Sequence, residues 1–185
     1  ISNFFDVYVN DAFSASHRNH TSITGFSKFL PAVAGIHMIN EINNINTFLD
    51  SVKKPSMAIV GGSKISTKIK LLNNLIEKFD VVVIGGAMAN TFLLANNNNV
   101  GNSLVEQDLI QEVINIQLKA KRLNCELILP TDVVCGKNIR DKNPVHRKIH
   151  QILSGEMILD IGGDSTQFIN NKILNSKTIL WNGPV

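Results

Sequence analysis

Two lysines four residues apart, Lys64 and Lys68, follow the Gly61-Gly62 pair in the stretch "IVGGSKISTKI". The apolar "MAIV" before them reads as a buried strand, and "KLLNNLIEKF" after them as an amphipathic helix. The cations therefore crowd a strand-to-helix turn, where the partial positive charge of a helix start disfavours them by about 0.3–1 kcal/mol. Like charges at this spacing disfavour one another further. The placement makes sense if an anion lies between them. Glycines let a ligand approach the backbone closely, and a helix start offers free N–H groups to phosphate. The plain alternative is a flexible turn with both lysines splayed into water. A second candidate cluster is His17, Arg18 and His20 in "NDAFSASHRNH". The guanidinium fork of arginine suits phosphate or carboxylate, and the flanking imidazoles add donors. A solvated surface loop is the alternative there.

The elements that must position these residues alternate. After strand 6–11 and a polar loop, Val33, Ile36, Ile39, Ile42, Ile45 and Leu49 recur at helical spacing. This predicts one long helix from Pro31 to about Val52, with Pro31 in its first turn. Then come strand 57–60, helix 66–79, strand 81–84, helices 87–95 and 106–123, strands 126–129 and 158–161, helix 165–174 and strand 178–181. Strands alternating with helices predict an α/β fold, a doubly wound and mostly parallel sheet. Ligands of such sheets bind beyond the carboxyl ends of the strands. "GGSK" at 61–64, "GGAMAN" at 85–90 and "NGP" at 182–184 all fall on that edge. Neither Gly-Gly turn has the GxxxxGK[ST] or GxGxxG pattern, so these two nucleotide signatures are absent. His146 and His150 read as an exposed helix face rather than metal ligands.

Composition excludes little more. The chain has 185 residues, 44% hydrophobic and 18% charged, with a formal net charge of +3. No Lys/Arg tract with interleaved aromatics points to nucleic acid. No apolar run reaches the ~18 residues of a membrane span, and no signal peptide is read. Cys125 and Cys135 lack CxxC spacing and fit buried free thiols in a reducing compartment. The chain begins at Ile1 without Met and ends just after a strand and turn, which reads as an internal fragment.

Taken together, "VYVNDAF", "HRNH", "LPAVAG", "GGSKISTK", "GGAMANTF", "VGNSLVE", "LILPTDVV", "LDIG" and "KTILWNGPV", in this order over nearly the whole chain, closely resemble the phosphoglycerate kinase family in a bacterial form. The resemblance implies two doubly wound α/β domains joined by a long helix. The N-terminal domain would bind 3-phosphoglycerate or 1,3-bisphosphoglycerate, and the C-terminal domain ADP or ATP with Mg²⁺. It divides the chain into the end of the substrate domain (1–30), the interdomain helix (31–54) and a truncated nucleotide domain (55–185). Arg18 matches the arginine that binds the substrate's charged groups, with His17 and His20 in the same patch. Lys64 matches the lysine on the transferring phosphoryl group, and Lys68 that on the nucleotide phosphates. Gly62, Ser63, Gly85, Gly86, Asn182 and Pro184 match walls of the nucleotide pocket. The implied protein is a cytoplasmic, monomeric glycolytic kinase.

Phosphoryl transfer spreads charge over three equatorial oxygens, so positioned cations suffice and no nucleophilic side chain is needed. The sequence departs from the family pattern at Ser14, Ala15-Ser16, Thr67 and "DIGGDST". The family's metal-binding aspartate would follow Val185, so no metal ligand is expected within the chain. Part of each site is expected outside it, which makes the chain alone inactive. Two other classes stay open from the residues themselves. One is a different nucleotide-binding enzyme of doubly wound fold, for example an NAD-dependent one; the other is a polyanion-binding module.

Overall fold

The computed structural model describes residues 1–185, save the side chain of Leu49. It divides into two compact units, Ile1–Ser51 and Val52–Val185.

In the first unit β1 (Tyr8–Asn10) pairs in parallel with β2 (Ala32–Ala34), and helix α1 (Ile36–Asp50) follows. The helix does not begin at Pro31 as its apolar spacing predicts. Pro31 and Gly35 are held by the neighbouring strand instead: the Tyr8 amide donates to the Pro31 carbonyl at 2.9 Å, and the Gly35 amide to that of Asn10 at 2.8 Å. The start of α1 is set by Asp11, whose Oδ1 accepts the Met38 amide at 2.9 Å. A Cβ on Gly35 would stand 2.4 Å from the Asp11 carboxyl, so Gly35 must be glycine for that cap to form. The periodic Ile36, Ile39, Ile42 and Ile45 are exposed, and Met38 is buried. The loop between β1 and β2 is a series of short helical turns.

The second unit is built on a parallel sheet of order β5-β4-β3-β9. Its strands are β3 (Ser56–Val60), β4 (Val81–Ile84), β5 (Glu126–Ile128) and β9 (Thr178–Asn182). All residues of β3 are buried, as a strand covered on both faces requires. On one face Met57, Ile59, Val83 and Ile128 pack against Ile169 of α5 (Gly163–Leu174). Strand alternation sends Ala58, Val60, Val82 and Ile84 to the other face. Helices α2 (Ile69–Lys78) and α4 (Ile110–Arg122) lie along β4 and β5, and α3 (Met88–Ala95) packs on α4. Leu72, Leu75, Ile76, Phe92, Val113 and Ile116 of these helices are buried.

A separate antiparallel sheet of order β7-β6-β8 departs from the expected array. It contains β6 (Asp132–Gly136), β7 (Val145–Lys148) and β8 (Met157–Ile161). The strand expected at 158–161 thus belongs here and not to the parallel sheet. His146 lies on β7 opposite Val134, and His150 lies in a following 3-10 turn, so the expected helix face does not form. The alternating "VHRK" pairs with β6, and Arg147 grips Glu156 through two nitrogens at 3.1 and 2.8 Å. Cys125 and Cys135 are buried and free. Burial first, and nearby carboxylates second, push both thiols up to about 11, away from reactivity.

This small sheet is tied to α5 by Asp132. Its carboxylate accepts the Ser165 amide at 2.7 Å, the Ser165 hydroxyl at 2.5 Å and the Asp164 amide at 3.1 Å. The helix start is thus capped from another strand. Burial works to raise the Asp132 carboxyl, but these donors and Lys148 hold it below its ordinary value. A depressed folded value places its stabilisation above the unfolded pKa of about 3.9, with loss as pH falls through the lower folded value. Asp132→Asn is expected to destabilise the protein by about 1–3 kcal/mol at neutral pH. Urea denaturation at several pH values checks this, and the gap to the unsubstituted protein should close below about pH 4.

Candidate functional site

Strand order reverses between β3 and β9: from β3 the chain steps outward to β4 and β5, then returns to β9 on the other side. The carboxyl ends at such a switch point form a crevice. Here the three glycine turns meet. The Gly61 amide donates to the Asn182 carbonyl, and the Gly85 amide to that of Val60, each at 2.8 Å. The contact is too close for side chains. A Cβ on Gly61 would stand 1.6 Å from the Pro184 carbonyl oxygen, and one on Gly86 2.7 Å from the Gly62 backbone. Gly62 and Gly86 also take positive φ of 138° and 64°. The Trp181 indole donates to the Gly183 carbonyl at 2.8 Å and pins the third turn.

Lys64 and Lys68 ride on the loop leaving this cluster. Ile65, fully buried, plugs the loop into the core. The Lys68 amide donates to the Ile65 carbonyl at 2.8 Å, and the Thr67 hydroxyl to that of Lys64 at 3.0 Å, which winds the loop tightly. Lys68 is the N-cap residue of α2, and the first turn of that helix carries no acid. Its stem passes over Gly62, and its ammonium donates to Oδ1 of Asn182 on β9. Ser63 and Lys64 are exposed. A cavity of about 80 Å³ opens beside the edge, lined by Gly86, Ala87, Leu93, Pro130, Leu159 and Val185 among others.

The fold therefore brings together Gly62, Ser63, Lys64, Lys68, Gly85, Gly86, Asn182 and Pro184, which lie far apart in the chain. His17, Arg18 and His20 are exposed in the first unit, on the turns between β1 and β2. Backbone bonds shape that loop: the Arg18 amide donates to the Ala15 carbonyl at 3.0 Å, and the His20 carbonyl accepts the Ile23 and Thr24 amides at 2.9 Å. Among the described residues no three His, Cys, Asp or Glu side chains could hold a metal ion.

Sequence reasoning assigned no role to Glu106, the last residue of "VGNSLVE". Its carboxylate takes the Ser66 hydroxyl at 2.6 Å and the Ser66 amide at 3.1 Å, inside the lysine loop. The two residues are separated by 40 positions, and no spacing rule connects them.

A parallel sheet with paired helices, whose glycine turns and lysine loop meet at a switch point, defines a doubly wound α/β protein with two cationic side chains at its crevice. Within that class, the model of the family described as phosphoglycerate kinase matches residues 1–185, and the chain belongs to that family. It is 46% identical over 181 residues to the phosphoglycerate kinase of Caulobacter vibrioides, covering 97% of this chain and 46% of that protein. With the Francisella tularensis phosphoglycerate kinase it is 45% identical over 187 residues, covering 100% of this chain and 48% of the relative. The solved phosphoglycerate kinase of Coxiella burnetii superposes with a TM-score of 0.86 at 35% identity, covering 100% of this chain and 48% of that one. That of Pyrococcus horikoshii gives 0.76 at 25% identity, covering 99% and 47%. The chain spans about half the length of the curated relatives it matches.

The crowding at Gly61 can be tested directly. Gly61→Ala is expected to lower stability by about 1–3 kcal/mol through overpacking against the Pro184 carbonyl. Gly155→Ala meets nothing within 4 Å and should leave the denaturation midpoint within about 0.5 kcal/mol. Equal midpoints for the two variants would refute the close approach.

Proposed function

We propose that this chain is part of a phosphoglycerate kinase, which moves a phosphoryl group reversibly between 1,3-bisphosphoglycerate and ADP, giving 3-phosphoglycerate and ATP. The observation that carries the reading is the lysine loop at the switch point, with Lys68 against Asn182 of the neighbouring strand. In this reading Lys68 holds the nucleotide phosphates, in place of or beside its contact with Asn182. Lys64 meets the transferring phosphoryl group. Gly62, Ser63, Gly85, Gly86, Asn182 and Pro184 wall the nucleotide site. Glycine turns admit phosphate to within hydrogen-bond reach of the backbone, and the start of α2 adds free amides.

The chemistry follows from charge. In-line transfer through a loose transition state develops negative charge on the equatorial oxygens, which fixed ammonium groups stabilise without reorganising. Arg18, with His17 and His20, would hold the three-carbon acid. Closure of the two domains would exclude water from the acyl phosphate. Mg²⁺ would arrive with the nucleotide, held by phosphate oxygens and water. The enzyme would act as a monomer in the cytoplasm, in glycolysis and gluconeogenesis. The divisions 1–30, 31–54 and 55–185 would be the end of the substrate domain, the interdomain segment and part of the nucleotide domain.

A coupled assay of the full-length protein carrying this chain, with 3-phosphoglycerate and Mg-ATP, tests the reading; no turnover would refute it. Lys64→Ala is expected to slow turnover by about two orders of magnitude or more while changing ADP affinity little, because its partner is the moving group. Loss of ADP affinity with preserved turnover would assign Lys64 to ground-state binding instead. Arg18→Ala should raise KM for 3-phosphoglycerate far more than KM for ATP, measured by varying each substrate in turn. Residues 1–185 alone are expected to give no turnover in the same assay.

A further inference from the structure

The loop that carries Lys64 and Lys68 is anchored at two points, Gly62 and Ser66, to the same helix. At one end the Met88 amide, in the first turn of α3, donates to the Gly62 carbonyl at 3.0 Å. At the second point stands Glu106. Its Oε1 accepts the Ser66 hydroxyl at 2.6 Å, and its Oε2 accepts the Ser66 amide at 3.1 Å. Ser66 lies midway between the two lysines. Glu106 is itself fixed, since its amide donates at 3.1 Å to the hydroxyl oxygen of Thr91, a buried residue of α3. Two positions before it, the Leu104 carbonyl accepts the buried Asn90 side chain at 3.2 Å. Contacts thus run from α3 through Glu106 to Ser66, and from α3 directly to Gly62. Lys64 is spanned between them, and Lys68 follows two residues beyond Ser66.

The carboxylate also balances charge. Burial works to raise Glu106, yet the Ser66 hydroxyl, the Ser66 and Ile65 amides and the nearby Lys64 ammonium together hold it below its ordinary value. It therefore stays ionised beside a loop bearing two cations. Both of its oxygens face Ser66, inside the loop.

We propose that Glu106 is a positioning residue for phosphoryl transfer, whose two-pronged grip on Ser66 sets the loop from which Lys64 and Lys68 reach the reacting phosphates. The proposal rests on the kinase reading above. Misplacement of reacting groups by about 1 Å can reduce a rate by about 100-fold. The role is therefore felt in turnover more than in substrate binding.

The test uses the full-length protein carrying this chain, with Glu106→Ala, Glu106→Gln, Ser66→Ala and the double variant Glu106→Ala/Ser66→Ala. Thermal midpoints identify the variants that fold. Glu106→Ala is expected to reduce kcat about 10- to 100-fold, with KM for ATP and for 3-phosphoglycerate changed less than about threefold. Glu106→Gln keeps one acceptor and should fall between it and the unsubstituted protein. It also carries the test if Glu106→Ala does not fold. The double variant should be no slower than Glu106→Ala, because both changes break one contact. A folded Glu106→Ala with kcat within twofold of the unsubstituted protein overturns the proposal, as do losses that multiply in the double variant. Amide hydrogen exchange without substrate gives a second readout: Ser66 should exchange faster in the Glu106 variants, and unchanged exchange overturns the anchor. An unsubstituted protein with no turnover but the expected exchange would instead defeat the kinase reading and leave the anchor standing.

Discussion

The closeness of three backbone turns at one sheet edge governs the second unit. Where β3, β4 and β9 end, the chain has no room for a Cβ between Gly61 and the Pro184 carbonyl, or between Gly86 and Gly62. Glycine there serves contact as well as conformation. Removing side chains lets the turns stack and hydrogen-bond to one another through the backbone. The parallel sheet supplies the strand ends, and its order places β9 beside β3. Burial of β3 on both faces holds that edge rigid.

Charge is then added at the margin of this rigid edge. A cation at a helix start is unfavourable by itself, and Lys68 caps α2 with no acid in its first turn. The tertiary fold eases that tension from two directions. Asn182 offers Lys68 a carbonyl oxygen from the adjacent strand, and Glu106 sets a carboxylate on the turn between the lysines. Neither partner cancels both charges, so the loop keeps a net positive charge. The same logic recurs at Asp132, whose carboxylate caps α5 from a different sheet. Capping across elements, rather than within the helix's own sequence, is how this chain joins its layers.

The first unit follows the same rule. Its helix begins where Asp11 caps Met38 and where Gly35 leaves space for that carboxylate. The apolar spacing that suggests a start at Pro31 misleads because β1 claims Pro31 and Gly35 through the backbone. Periodicity reports which residues could share a helix face. It is silent on a strand that takes the same residues into a ladder.

Local pattern alone settled the parallel strands, the helices between them, the glycine turns at their ends and the lysine pair, because each rests on residues within one or two helical turns. The family motifs are legible for the same reason. Tertiary structure decided the rest. The antiparallel sheet escaped because β6 and β7 are joined by a polar loop and gain their partners only by pairing, with His146 placed against Val134. Lys68 meets Asn182 across 114 positions, and Ser66 meets Glu106 across 40. Spacing along a chain encodes faces of single elements, whereas the distance between elements is set by how their buried faces pack. The sequence therefore determined which residues could handle an anion, and only the packed sheet decided which of them share one crevice.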